Sequence, residues 1–167
     1  VESLGDINND NFIDIAVGVQ NGLEELYILL LDGDQNVINY VNFTASDNLY
    51  GNRFSYAVSN INDIDNNGVN DIMVGCYGER GNGQAMSGAI YLYLLNNDGT
   101  YSREQKFSND VGFFNFTLER YDRFGYSTTL LTDTMSIISA ANRGDTGDLF
   151  FLPIFRECST TNPCLNS

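Results

Sequence analysis

The sequence predicts an all-β chain assembled from repeated sheets of four short strands. Three observations predict it: an internal repeat, apolar segments of strand length separated by turn residues, and the absence of any segment with a convincing helical period.

The repeat comes first. Sliding the chain by 57 residues lays Asp6, Ile7, Asn9, Asp14, Ile15, Val17 and Gly18 on the same residue types at Asp63, Ile64, Asn66, Asp71, Ile72, Val74 and Gly75, seven identities in 13 positions. Val1 falls on Val58 in the same alignment. Arg53-Phe-Ser-Tyr56 and Arg123-Phe-Gly-Tyr126 form a second pair, 70 residues apart. Asn42-Phe-Thr44 and Asn115-Phe-Thr117 form a third. A unit of about 57 to 70 residues therefore recurs roughly two and a half times.

The elements follow in order. The first copy begins inside its first strand, passes an acidic loop into a strand at Ile15, and carries an outer strand over Asn36–Phe43. In the middle copy, Phe54–Ile61 alternates loosely and meets a second acidic loop. Asp71–Tyr77 is short and apolar, as a strand buried on both faces would be. Gly78–Ser87 is a glycine-rich loop, and Ala89–Leu95 is a second apolar strand. Asn96-Asn-Asp-Gly99 is a hairpin signal, because Asp-Gly tolerates positive φ. Thr100–Phe107 is polar and alternating, as an outer strand should be. The last copy has strands over Phe124–Leu131, Ser136–Ala141 and Leu149–Phe155 and no polar fourth strand. Four strands per unit, apolar within and polar outermost, describe a β-propeller blade. A β-sandwich is the alternative, although it does not require a repeat of this length. The units divide as 1–52, 53–122 and 123–155, with a cysteine-containing end over 156–167.

Charge narrows the function. Eight Lys and Arg face 22 Asp and Glu, a net charge of −14, so no basic surface for nucleic acid is expected. The chain has no histidine, which removes Ser-His-Asp and Cys-His catalysis and histidine-based zinc sites. No apolar run approaches the roughly 18 residues of a membrane span, and Val1–Asp6 has neither the basic nor the apolar region of a signal peptide.

The acids are concentrated rather than spread. Asp6, Asn8, Asp10 and Asp14 occupy positions one, three, five and nine of the first loop, and Asp63, Asp65, Asn67 and Asp71 those of the second. A single such run reads equally well as a solvated turn, but two in one register point to a ligand. Hard oxygen donors without Cys or His select calcium, and Phe12 and Val69 at position seven offer a backbone carbonyl. Two carboxylates about 4 Å apart repel by roughly 4 kcal/mol at an effective dielectric of 20, so gathering several calls for a cation. An EF-hand would require Glu at position twelve and helical flanks; here position twelve is Val17 or Val74 and the flanks read as strands. In the last copy, Thr132-Asp-Thr-Met135 is too short and carries one carboxylate, so no metal is expected there.

The ordered motifs resemble the FG-GAP repeat of integrin α-subunit propellers, over residues 1 to about 155. Phe54-Ser55 and Phe124-Gly125 stand at the FG position. Gly75-Cys76-Tyr77, Gly18-Val19-Gln20 and Ala140-Ala141-Asn142 stand at a GAP tripeptide that is nowhere intact. The resemblance implies a seven-bladed ring with calcium between the first and second strands of a blade. It further implies that this chain is the C-terminal part of a larger propeller, the outer strand of whose last blade comes from the N-terminal region. Cys158 and Cys164 resemble the opening of an EGF-like module, and a local disulfide between them is the equal alternative; both place the chain outside the cytosol. Cys76, in an apolar strand, reads as a buried thiol. Asn42 and Asn115 head glycosylation sequons expected in polar loops between blades. Arg143-Gly-Asp145 matches an integrin-ligand tripeptide, but a three-residue match has a high chance rate.

The functional expectation is an extracellular, calcium-binding propeller for adhesion or assembly, with proteins or glycans as partners. A structural subunit of a filament or matrix and a glycan-binding propeller are the alternatives. No enzyme is expected, since the clustered acids are taken up by the metal loops rather than by a catalytic carboxylate pair.

Overall fold

A computed structural model describes residues 1–20, 22, 24–46, 51–80, 85–109, 117–132, 135–140 and 147–153. Among these residues there are eleven strands and no helix. The strands form three antiparallel meanders. The first comprises β1 (Glu2–Gly5), β2 (Asp14–Val19), β3 (Glu25–Leu31) and β4 (Val37–Phe43). The second comprises β5 (Ala57–Asn60), β6 (Ile72–Cys76), β7 (Ala89–Leu95) and β8 (Tyr101–Phe107). The third is three-stranded, from β9 (Phe124–Thr132), β10 (Met135–Ala140) and β11 (Asp148–Pro153).

The sheets stack in series, and the middle one explains why. Side chains alternate across a strand, yet every residue of β6 and β7 is buried. Ile72, Val74, Tyr91, Tyr93 and Leu95 join Leu4, Leu26, Ile28 and Leu30 of the first sheet in one core. Met73, Ile90, Leu92 and Leu94 join Phe124 and Ile138 of the third sheet in another. A sheet covered on both faces has no need of the polar alternation seen in β8, so its inner strands read as continuous apolar runs. This series of sheets is propeller-like, and a two-sheet sandwich has no such doubly covered member.

The first strands of the sheets lie side by side. The Asn60 amide donates to Glu2 Oε1 at 3.1 Å, and Ser59 Oγ donates to the Thr128 carbonyl at 2.7 Å. The repeated Arg-Phe-x-Tyr motif brings Tyr56 and Tyr126 together, with ring centroids 5.1 Å apart, and Tyr77 closes a three-ring cluster.

The turn chemistry departs from the sequence reading at one strand. β5 is confined to Ala57–Asn60, because Arg53 and Ser55 adopt φ of 61° and 62° and cannot extend it. The β7–β8 hairpin turns at Asn96–Gly99 as expected, with Gly99 at φ 83°. Cys76 is buried, and its thiol donates to the Asn52 carbonyl. A second departure concerns the first sequon. Asn42 lies in the exposed edge strand β4, inside the outer strand expected over Asn36–Phe43, and so not in the polar loop expected for the sequon. Asn115, the Arg143-Gly-Asp145 tripeptide, Cys158 and Cys164 lie outside the described residues.

Candidate metal centre

The loops joining β1 to β2 and β5 to β6 fold by the same set of bonds. In the first, the Asp10 and Asn11 amides donate to the two oxygens of Asp6 at 3.0 and 2.8 Å. In the second, the Asn67 and Gly68 amides donate to Asp63 at 3.1 and 2.8 Å. Asn8 and Asp65 accept from the same amides of residues 10 and 67. Asp10 accepts from Phe12, and Asn67 from Val69. Sequence explains the path: Asn9 and Asn66 take φ of 62° and 60°, Asn11 and Gly68 take 75° and 90°, and Asn and Gly are the residues that tolerate the left-handed region.

The ninth position anchors each loop to its sheet. Asp14 and Asp71 are both fully buried. Asp14 accepts from the Ile7 amide at 3.0 Å and the Leu31 amide at 2.9 Å; Asp71 accepts from Ile64 at 2.8 Å and Leu95 at 2.9 Å. Leu31 and Leu95, at the ends of the third strands, were not legible as part of the site. Their only sequence signal is a leucine closing an apolar run in both copies. Asn67 adds a further tie, donating from Nδ2 to the Leu95 carbonyl at 2.8 Å.

In the second loop, one carboxylate oxygen from each of Asp63, Asp65 and Asp71 lies within 4.8 Å of the others. Burial is the main cause that pushes the Asp71 carboxyl up to about 7, opposed by its two amide donors and reinforced by the charges of Asp65 and Asp63. Burial likewise raises Asp65. The donor set is all oxygen, its charge is uncompensated by any nearby Lys or Arg bond among the described residues, and a divalent cation fits both features. In the first loop the residue types at positions three and five are exchanged, Asn8 for Asp65 and Asp10 for Asn67, and the Asn8 amide donates to Asp10 Oδ2 at 2.8 Å. Phe12 is 43% exposed and its ring covers Gly33, whereas Val69 is buried. The third sheet has no such loop: β9 ends at Thr132 and β10 starts at Met135.

Part of this chain is similar to an integrin α-subunit. It is 33% identical over 85 residues to integrin alpha-4 of Xenopus laevis, a match covering 46% of this chain and 8% of that protein. The chain thus spans less than a tenth of that relative's length. No family model matches the chain. Similarity to an integrin α-subunit agrees with the FG-GAP-like order of motifs and, with the acidic cluster, is suggestive of divalent-cation binding.

Proposed function

We propose that this chain forms part of an extracellular, calcium-stabilised, integrin-like β-propeller that serves adhesion or protein assembly. The observation that carries the reading is the likeness of the two loops, which share residue spacing, left-handed positions and five hydrogen bonds 57 residues apart. Asp63, Asp65, Asn67 and Asp71 hold one cation and Asp6, Asn8, Asp10 and Asp14 another, with carbonyls of Val69 and Phe12 as further donors. The cation neutralises carboxylates that otherwise repel, and it staples the first strand of each of the first two sheets to the second and third strands. The chemistry supplied is structural: it fixes the acidic loop that joins the first two strands of each of the first two sheets. The ring of seven blades that the resemblance implies, an EGF-like continuation after 155 and partners among extracellular proteins belong to the same reading.

Calcium titration of the metal-free protein, followed by thermal unfolding, tests it. A ligand that binds only the folded state at 100 times its Kd adds about 2.7 kcal/mol per site. Magnesium at the same concentration should do less, because it accepts a flexible oxygen cage poorly. A melting temperature indifferent to calcium and to chelator would remove the reading.

A further inference from the structure

The edge strand that holds Asn42 also sets the sequon against a pair of aromatic rings. β4 pairs with β3 so that Asn42 stands opposite Tyr27, and Tyr40 stands opposite Leu29. Residues two apart on a strand share a face, so Tyr40, Asn42 and Tyr27 project together, away from the core formed by Leu26, Ile28 and Leu30. The two tyrosine rings lie 6.0 Å apart between centroids at an angle of 35°. Glu25 fixes the group: one carboxylate oxygen accepts from Asn42 Nδ2 at 3.0 Å and the other from the Tyr27 hydroxyl at 2.9 Å. Tyr40 is 58% exposed and Asn42 is exposed as well.

We infer that Asn42 carries an N-linked glycan whose first sugar rests on the Tyr40 ring, within a platform that Tyr27 and Glu25 hold in place. The inference rests on the extracellular reading above. The donor is an oligosaccharide joined to a lipid diphosphate. Asn42 Nδ2 forms a bond to the anomeric carbon, the bond from that carbon to the diphosphate oxygen breaks, and the lipid diphosphate leaves with the electron pair. Nδ2 loses one of its two protons to a base of the transferase. The proton that remains can still be donated to Glu25. The sugar's axial C–H bonds are apolar and slightly positive, which suits the negative face of an aromatic ring. A polar, bulky group at this place also blunts an exposed edge strand that presents Val37, Ile38 and Tyr40. The second sequon repeats the pattern in sequence, with Phe113 two residues before Asn115 as Tyr40 is before Asn42.

The test uses the full-length protein made in cultured eukaryotic cells, as wild type, Tyr40→Phe and Tyr40→Ala. Peptide mass mapping after amidase release in heavy-oxygen water reads occupancy at position 42. Thermal midpoints are taken with the glycan trimmed to one sugar and in the same chains with Thr44→Ala, which abolishes the sequon and keeps a bare Asn42. Amidase would instead leave an aspartate beside Glu25. Expected is an occupied Asn42 whose remaining sugar raises the midpoint by about 2 °C or more, with the gain kept in Tyr40→Phe and lost in Tyr40→Ala. Amidase should release sugar from native Tyr40→Ala faster than from the other two, a readout that does not depend on that variant's stability. A secreted protein with bare Asn42 overturns the inference while leaving the extracellular reading intact. A protein retained in the cytosol overturns both, and equal midpoint gains and release rates in all three forms overturn the platform.

Discussion

At the scale of single residues, the glycines of the FG and GAP positions serve one purpose. A Cβ on Gly75 would sit 2.0 Å from the Gly125 carbonyl oxygen of the next sheet, and a Cβ on Gly18 would sit 2.1 Å from the Ser55 carbonyl oxygen. Backbone meets backbone where two sheets touch, and a carbonyl cannot swing aside as a side chain can. Gly75→Ala should therefore cost about 1–3 kcal/mol or more, while Gly51→Ala, with open space around its Cβ site, bears only the strain of its φ of 89°. Denaturant midpoints of the two variants decide this, and a Gly75→Ala chain as stable as wild type would contradict the close approach. The motif was visible in the sequence, but its reason was not, since it depends on a neighbour 50 residues away. Asp71 gives a pH prediction. Its carboxyl titrates near 3.9 in an unfolded chain and at about 7 in the metal-free fold. Between those values the folded state binds more protons than the unfolded one, so the metal-free protein loses stability as pH rises from about 4 to about 7. Asp32 and Asp98 are shifted down by bonds from Asn36 and Thr100; their contribution is present above the unfolded value and lost below it, outside this window. Melting without metal across that range checks the sign, and the decline should be reduced in Asp71→Asn, where the raised Asp65 carboxyl still contributes with the same sign.

At the scale of the element, each acidic loop combines two kinds of carboxylate, and spacing alone did not separate them. The one-three-five-nine register was legible because ligand loops repeat by residue type. The role of position nine was not, because Leu31 and Leu95 donate from strands 17 and 24 residues further along the chain. Asp71 is a structural acceptor whether or not a cation is present. Asp71→Asn places an amide against two amide donors, Ile64 and Leu95, and should cost about 1–3 kcal/mol in chelator, with the loss of a cation ligand added to that in calcium. Asp65→Asn keeps an oxygen for the Asn67 amide and removes charge from the cluster. It should lower stability only when calcium is present, and match or exceed wild type in chelator. Thermal unfolding of both variants under both conditions gives four midpoints. If Asp65→Asn were equally destabilising with and without the cation, position three would be a structural bond rather than a ligand.

At the scale of the whole molecule, the three sheets are unequal in cover. The strand periodicity revealed which strands are apolar, and β6 and β7 are indeed enclosed on both sides. The same periodicity reveals nothing about which sheet faces another, since a core strand and an open one can have the same composition. The third sheet shows the difference. Leu130, Phe150 and Leu152 pack toward the middle sheet, whereas Leu131, Leu149 and Phe151 are 51%, 61% and 51% exposed. Phe151 pairs across Ile137 with Thr129, and Leu149 across Ser139 with Ser127, so the exposed set lies on the face turned away from the middle sheet. An apolar sheet face in water is an association surface. A polypeptide of residues 1–167 alone should therefore self-associate in proportion to concentration, in spite of a net charge of −14. Leu149→Lys combined with Phe151→Lys should return it to monomer without lowering its melting temperature, because neither side chain contributes to the second core. Equilibrium sedimentation of the two forms measures this directly. A wild-type chain that stays monomeric while the lysine variant unfolds would show that these residues pack within the fold, and that the outer face is not the surface on which a further sheet would rest.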